Sequence, residues 1–237
     1  MTATLVLVHG GTVTSTMWDP VLPHLQTPAV ATDLPGRRYR PADLGTITIA
    51  DWSQAVADEI VERDLHDVVL VGHSSGGYVI PGTAARVPER VRSLVFISAT
   101  VPSEGTRVVD HLKPKLAAIA TENEATMRKM AAGRTLGGLR PGEPPIETDL
   151  EVVENDGRMG LEAPTPLFEP YSWAAFPRSL PRYFVRCTQD VVVTPELVDR
   201  MLDNMGGATV VDLDAGHDAA ATHPEALART LDELAAR

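Results

Sequence analysis

The sequence lacks the features that mark several common protein classes. Its one cysteine, Cys187, excludes an internal disulfide bond and fits a reducing compartment. No lysine or arginine precedes Arg37, and the apolar run at residues 5–8 is too short for the core of a secretion signal. No apolar run is long enough to cross a bilayer. We therefore expect a cytoplasmic protein that does not enter a membrane.

Positive charge is scarce, and the short motifs of common cofactor sites are missing. The chain carries 21 Lys and Arg against 32 Asp and Glu, which gives a net charge of −11. Such a surface repels phosphate backbones, so we expect no nucleic-acid partner. CxxC, HExxH and Walker-type motifs are absent, and we expect neither a metal ion nor another cofactor. A small-molecule substrate fits this composition, in a monomer or a homodimer.

Strand-like and helix-like segments alternate along the 237 residues. Short apolar runs predict strands at residues 4–8, 29–32, 68–71, 93–98, 183–186 and 209–213. Amphipathic or capped segments predict helices at 49–63, 75–86 and 224–236, and another that begins at Pro195 after a Thr194 cap. This order predicts an α/β fold, with a mostly parallel central sheet of about six strands flanked by helices. In such sheets ligands bind beyond the carboxyl ends of the strands.

Residues 100–180 interrupt the alternation with a stretch rich in Pro, Gly, Met and charge. A structureless loop of this length is unusual in a compact domain. We therefore predict an inserted helical lid at 100–180, with a helix at 114–132, over a core formed by 1–99 and 181–237. The large apolar side chains of the lid either line a substrate pocket or form the lid's own core. They are Met127, Met130, Met159, Leu161, Leu167, Phe168, Tyr171 and Trp173.

The segment VVLVGHSSGG at residues 68–77 contains G-x-S-x-G between a buried strand and a helix. This context is typical of a nucleophile elbow, a sharp turn that holds Ser74 at its tip in a strained backbone conformation. Gly72 and Gly76 would keep side chains away from the place where strand and helix nearly touch. A plain glycine–serine turn is the alternative. Pro81 is unexpected, because it should kink the helix predicted at 75–86.

Acyl transfer also needs two N–H donors that stabilise the developing oxyanion. Ser75 follows the nucleophile at the start of the helix, and its backbone N–H is the first candidate. The second donor should come from the loop after the first strand, His9-Gly10-Gly11. We assign it to Gly11, since glycine lets the backbone approach a substrate closely.

The base and the acid follow from chain order, which in this type of fold is Ser, then Asp or Glu, then His. Among the seven histidines, only His217 and His223 follow the last strand. His217 lies in the loop directly after that strand, whereas His223 stands at a helix boundary. Asp190, after the strand at 183–186, is the predicted acid that orients His217. Asp214 competes with it, but it shares the histidine loop and is expected to cap the loop backbone.

Taken together, residues 7–11 with Met17 and Trp18, and residues 71–77, 184–190 and 215–218, resemble the α/β-hydrolase superfamily. The likeness is to its compact esterase and hydroxynitrile-lyase-like branch, which includes plant salicylate methyl esterases. The resemblance implies a Ser74–His217–Asp190 triad, N–H donors at Gly11 and Ser75, and a helical cap. It also implies hydrolysis of a small ester, thioester or lactone. Hydroxynitrile lyases of this branch carry a lysine where this chain has Asp218, so cyanohydrin cleavage is disfavoured.

Three functions are compatible with these residues. The first is a hydrolase that works through an acyl-enzyme. The second is a non-hydrolytic enzyme with the same triad (a lyase, a cyclase or a cofactor-free oxygenase), or a carbon–carbon bond hydrolase, that acts on a small metabolic intermediate. The third is a binding protein descended from a hydrolase, against which the intact triad argues. Trapping of an acyl-enzyme separates the first two.

Overall fold

A six-stranded parallel sheet forms the centre of the molecule, as predicted. The computed structural model describes residues 3–37, 40–133, 135–136 and 162–237. Its strands are β1 (Thr4–Val8), β2 (Ala29–Thr32), β3 (Ala42–Asp43), β4 (Val68–His73), β5 (Val91–Ile97), β6 (Thr135–Leu136), β7 (Arg182–Cys187) and β8 (Thr209–Leu213). The sheet order is β2-β1-β4-β5-β7-β8, with every neighbouring pair parallel. β3 and β6 form a separate antiparallel pair.

Helices follow most of the strands and cover both faces of the sheet. They are α1 (Ile49–Glu62), α2 (Ile80–Arg86), α3 (Pro114–Ala131), α4 (Thr165–Phe168), α5 (Pro195–Met205), α6 (Ala219–Thr222) and α7 (Pro224–Ala235). Short 3₁₀ segments lie at Ser15–Trp18, Leu22–His24, Ser74–Tyr78 and Val108–His111. No helix in the described parts of the chain combines the length and the apolar character needed to cross a membrane.

The core has two layers, one on each side of the sheet. Successive residues of β1 alternate between them, because side chains of a strand point to opposite faces. Val6 and Val8 pack into the layer under α1, α2 and α5, whereas Leu5 and Leu7 pack into the layer under α6 and α7. All four are fully buried. Two-sided burial explains why these strands are continuous apolar runs.

The segment after β4 differs from the single helix predicted at 75–86. A 3₁₀ turn covers Ser74–Tyr78, and α2 begins only at Ile80. Pro81 therefore lies in the first turn of α2, where a backbone N–H has no partner within the helix. The proline starts a new helix here and does not kink an existing one.

The predicted lid contains α3, whose bounds differ from the prediction by one residue, and α4. Tyr171 and Trp173 are buried in the same core layer as α5, and Trp173 packs edge-on against Phe176 with ring centroids 5.0 Å apart. These aromatic side chains therefore belong to the core layer on one face of the sheet, and not to a separate core of the lid. Met130 is half exposed. Met159 and Leu161 lie outside the described residues, and the domain boundaries remain a prediction.

His9, directly after β1, is fully buried and uses both ring nitrogens. Its Nδ1 lies 2.7 Å from the Gly10 carbonyl oxygen, and its Nε2 accepts a hydrogen bond of 3.1 Å from the Leu34 N–H. Only a neutral ring with its proton on Nδ1 satisfies both contacts. Burial and the nearby Arg37 charge lower the pKa of His9 to about 3. His9 thus joins the loops after β1 and β2 and is not a catalytic base.

We predict that acidification destabilises the fold through His9 and a second buried histidine, His73. Burial lowers the pKa of His73 to about 4, and both values lie below the ordinary 6.5. Between about pH 6.5 and 5 the unfolded chain therefore binds more protons than the native one. The free energy of unfolding should fall as pH falls, by up to about 1.4 kcal/mol per pH unit for each histidine.

Urea unfolding across this pH range measures the slope. His9→Gln should be less stable at neutral pH, but its stability should fall less steeply on acidification. A decline as steep as that of the unmutated protein would contradict the role given to His9.

Candidate active site

Ser74 stands at the carboxyl end of β4, at the tip of the turn into α2. Its φ angle is 50°, a left-handed conformation that non-glycine residues seldom adopt. The strained turn predicted from the sequence is therefore present. This backbone conformation directs the side chain away from the sheet. It places Oγ at the edge where ligands of parallel sheets bind.

Two glycines allow this turn, as predicted. A Cβ on Gly72 would lie 2.6 Å from the Gly76 carbonyl oxygen. A Cβ on Gly76 would lie 2.8 Å from the Val8 carbonyl oxygen and 2.9 Å from that of His9. The contacts involve backbone atoms, which cannot move aside as a flexible side chain could. The 3₁₀ turn thus packs directly against the end of β1.

His217 bridges the serine and a carboxylate. Its Nε2 lies 3.1 Å from Ser74 Oγ, and its Nδ1 lies 2.7 Å from Asp190 Oδ2. The loop after β8 supplies the histidine and the loop after β7 supplies the aspartate, so neighbouring strand ends bring them together. The three residues predicted from chain order form one hydrogen-bonded series.

Asp190 is buried and fully partnered. Its Oδ1 accepts hydrogen bonds from the backbone N–H groups of Val192 (2.6 Å) and Val193 (3.0 Å), which leaves Oδ2 for His217. Burial alone would raise the pKa of Asp190. The hydrogen bond and charge of His217 and the Val192 N–H outweigh it, so the pKa lies below its ordinary value. The carboxylate therefore stays ionised and can stabilise a positive imidazole.

Asp214, the competing acid, points elsewhere. Its Oδ1 accepts hydrogen bonds from the side chains of Gln189 (2.7 Å) and Thr188 (3.3 Å), and the residue is exposed. These partners are side chains rather than the loop backbone that the sequence interpretation expected. Asp214 thus links the loops after β7 and β8, whereas Asp190 is the carboxylate that bonds the His217 ring.

Gly11 and Ser75, the predicted oxyanion donors, lie next to each other. A Cβ on Gly11 would be 3.4 Å from Ser75 Oγ. Ser75 is in the first turn of the 3₁₀ segment, where backbone N–H groups have no partner within the helix. Gly11 also lines the same cavity as Ser74 and His217. Both residues thus lie close to the nucleophile, and their role as oxyanion donors stays a prediction.

The cavity beside Ser74 has a volume of about 650 Å³. Its apolar lining comes from Val13, Met17, Pro20 and Ala221, and the side chains of Asp19 and Asp218 are its acidic members. Within the described parts of the chain, no group of three His, Cys, Asp or Glu side chains is arranged to hold a metal ion. The cavity is large enough for a small molecule.

His73 has no catalytic role in the sequence interpretation, yet it links the nucleophile to the base. It precedes Ser74, and its Nε2 donates a 2.9 Å hydrogen bond to the backbone carbonyl of His217. The two imidazole rings lie 4.9 Å apart. Burial and the charge of His217 lower the pKa of His73 to about 4, so it stays neutral near pH 7. The only sequence signal for this contact is its position beside the nucleophile.

Glu162 is the second residue that the sequence did not reveal. Its carboxylate lies beside Gly11 and accepts a hydrogen bond from the Thr12 N–H. It also forms an ion pair with Arg37, whose side chain is buried. Its partners are more than a hundred positions away along the chain, so no local motif marks it.

A model of the alpha/beta hydrolase family matches residues 5–230. The chain belongs to this family. This α/β-hydrolase is 28% identical to a probable hydrolase, R7, of a Phoma species, over 98% of this chain and 97% of that one. It is 26% identical to the pyrethroid hydrolase of Sphingobium wenxiniae, over 99% and 89% of the two chains.

A solved structure shows the same fold over its whole length. It is an extracellular α/β-hydrolase of a Paenibacillus species that shares structural and functional homology with tobacco salicylic acid binding protein 2. The TM-score is 0.75 at 21% identity, and 98% of each chain is covered. This comparison confirms the fold of the compact esterase and hydroxynitrile-lyase-like branch, which the sequence motifs indicated.

We predict that Asp190→Asn preserves the fold of the hydrolase but lowers kcat by up to about ten-thousandfold. An amide on Nδ1 favours the wrong tautomer of His217 and cannot balance its charge. Asp214→Asn should cost far less, because in the described structure the Asp214 carboxylate bonds the side chains of Thr188 and Gln189 rather than His217. Steady-state kinetics with a p-nitrophenyl ester, with circular dichroism as the folding control, compares the two. Severe impairment of Asp214→Asn alone would show that the acid is wrongly assigned.

We also predict that His73 positions His217. His73→Phe keeps an aromatic ring but removes the donor to the His217 carbonyl, and should lower kcat about ten- to a hundredfold with little change in KM. His73→Gln can offer an N–H near the position of Nε2 and should recover most of that loss. Kinetics and thermal unfolding of both variants test this. Equal loss of kcat in the two would contradict a role for the donor.

Proposed function

We propose that this hydrolase cleaves small, largely apolar esters, thioesters or lactones through an acyl-enzyme on Ser74. The observation that carries the proposal is the continuous contact from Ser74 Oγ through both nitrogens of His217 to Asp190. A serine hydroxyl is a weak nucleophile by itself, and a base within hydrogen-bond distance activates it.

Each step follows from this geometry. His217 Nε2 takes the hydroxyl proton as Ser74 Oγ attacks the substrate carbonyl, and Asp190 stabilises the imidazolium that forms. The tetrahedral intermediate collapses, and His217 donates the proton to the leaving oxygen or sulfur. Water then enters, gives a proton to His217 and attacks the acyl-enzyme. The acid product leaves, and Ser74 recovers its proton.

The oxyanion of each intermediate needs donors already in place. The proposed donors are the N–H of Ser75, in the first turn of the 3₁₀ segment, and the N–H of Gly11, where an added Cβ would lie 3.4 Å from Ser75 Oγ. Donors fixed by the fold act more strongly than water, because they need no reorganisation during the reaction. Both donors are backbone N–H groups, so their positions depend on the loop conformation and not on a side-chain rotamer.

The cavity lining favours an uncharged substrate. Its apolar side chains can contact a short acyl chain or ring, and no lysine or arginine occurs among the described lining residues. Asp19 and Asp218 would repel a substrate carboxylate. Esterase activity is also named for several relatives, among them a carbendazim hydrolyzing esterase of a Nocardioides species that is 34% identical over 44% of this chain. These names support ester cleavage without identifying the substrate.

We predict that Ser74→Ala lowers kcat on p-nitrophenyl esters by at least about a thousandfold and leaves only the effects of binding and the oxyanion hole. A fluorophosphonate should form an adduct on Ser74, which peptide mass spectrometry locates. A panel of p-nitrophenyl esters of increasing chain length, with one carboxylated member, tests the preference for neutral acyl groups.

Ser75→Ala is the matched control, since it keeps the backbone N–H and removes only the neighbouring hydroxyl. It should still be labelled on Ser74. An adduct on Ser75, or ester turnover in Ser74→Ala near the original rate, would overturn the proposal.

A further inference from the structure

The loop after β1 has little of its own to fix its shape. It begins with Gly10 and Gly11, which have no side chains to pack. It continues with Thr12, which is exposed and has a φ angle of 58°. A left-handed conformation at a β-branched residue is a rare outlier. The His9 ring holds the Gly10 carbonyl, and a contact from outside the loop holds the strained Gly11–Thr12 backbone.

Glu162 makes that outside contact. Its Oε2 accepts a 2.7 Å hydrogen bond from the Thr12 N–H, and its Oε1 accepts a 3.1 Å hydrogen bond from Arg37 Nη2. The Arg37 side chain is only 2% exposed and that of Glu162 22%. One carboxylate oxygen is thus anchored on a buried cation while the other holds the loop.

The contact point is beside the oxyanion site. A Cβ on Gly11 would lie 2.9 Å from Glu162 Oε2 and 3.4 Å from Ser75 Oγ. The Thr12 N–H belongs to the peptide that follows Gly11, so fixing it limits rotation about the backbone of Gly11. Arg37 offsets the negative charge that Glu162 would otherwise place near the developing oxyanion.

We propose that Glu162 is a positioning residue for catalysis: its carboxylate holds the strained Gly11–Thr12 backbone so that the Gly11 N–H stays directed at the reacting carbonyl. The proposal rests on the function proposed above. It assigns Glu162 an effect on the transition state more than on substrate binding, since the oxyanion forms only during the reaction.

Two substitutions separate the effect of the length of the Glu162 side chain from the effect of its charge. Glu162→Gln keeps the length and an acceptor oxygen for the Thr12 N–H, but its amide no longer neutralises Arg37. Its thermal stability should therefore fall, whereas its kcat should fall less than that of the shortened variant. Glu162→Asp keeps the charge beside buried Arg37 but is one methylene shorter, so it cannot span both partners. It should lower kcat about ten- to a hundredfold with KM little changed, less than the loss of a whole oxyanion donor. Its affinity for a boronic acid, which forms a tetrahedral adduct on the serine, should fall by a similar factor.

Glu169→Ala is the matched control. Glu169 also belongs to the segment predicted as the lid and accepts a hydrogen bond from a core backbone N–H, that of Ile49 (2.6 Å). Its loss should lower thermal stability and leave kcat nearly unchanged. Thermal unfolding of all variants shows whether each is folded at the assay temperature.

The proposal is overturned if Glu162→Asp keeps the kcat of the unmutated enzyme, if Glu162→Gln is the more impaired of the two, or if Glu169→Ala loses kcat equally. Fluorophosphonate labelling of Ser74 in the unmutated enzyme is independent of these outcomes. Failure of the Glu162 proposal is therefore distinguishable from failure of the proposed hydrolase mechanism.

Discussion

The left-handed turn at Ser74 is the constraint on which the rest of the site depends. It is maintained because β4 is buried between β1 and β5, and because Gly76 packs on the carbonyl oxygens at the end of β1. A side chain at Gly72 or Gly76 would push the 3₁₀ turn away from the sheet. Ser74 Oγ would then lie outside hydrogen-bond distance of His217 Nε2, and Ser75 would no longer lie opposite Gly11. The sheet thus fixes the positions of the loops, and the loops carry the catalytic residues.

Around this turn, burial and pairing together set the charge of each group. His73 is buried without a carboxylate partner, so its pKa falls and it remains a neutral donor to the His217 backbone. Asp190 is also buried, yet its contacts with His217 and two backbone N–H groups lower its pKa and keep it ionised. Two groups a few ångströms from the same imidazole thus stay in the protonation states that a serine–histidine mechanism requires.

The sequence predicted what is local in the chain. The bounds of β1 and β8 agree with the prediction, because an apolar β-branched run between polar turns marks both ends of a strand. The placement of Ser74, Asp190 and His217 followed from motif context and chain order. The break before Pro81 was missed, because a helical pattern does not reveal a 3₁₀ turn. The contact of Glu162 with Thr12 was also hidden, since it joins positions 150 residues apart and depends on packing that leaves no local pattern.

The most direct test of the central claim, a covalent acyl-enzyme on Ser74, is rapid mixing of the enzyme with p-nitrophenyl acetate. The geometry predicts a burst of p-nitrophenol of about one equivalent per active site where deacylation is the slower step. Acid quenching during the burst should leave an acetyl group on the peptide that contains Ser74. Steady turnover of the ester with no acetyl group on Ser74 at any quench time, including in a variant with slowed deacylation, would contradict the account.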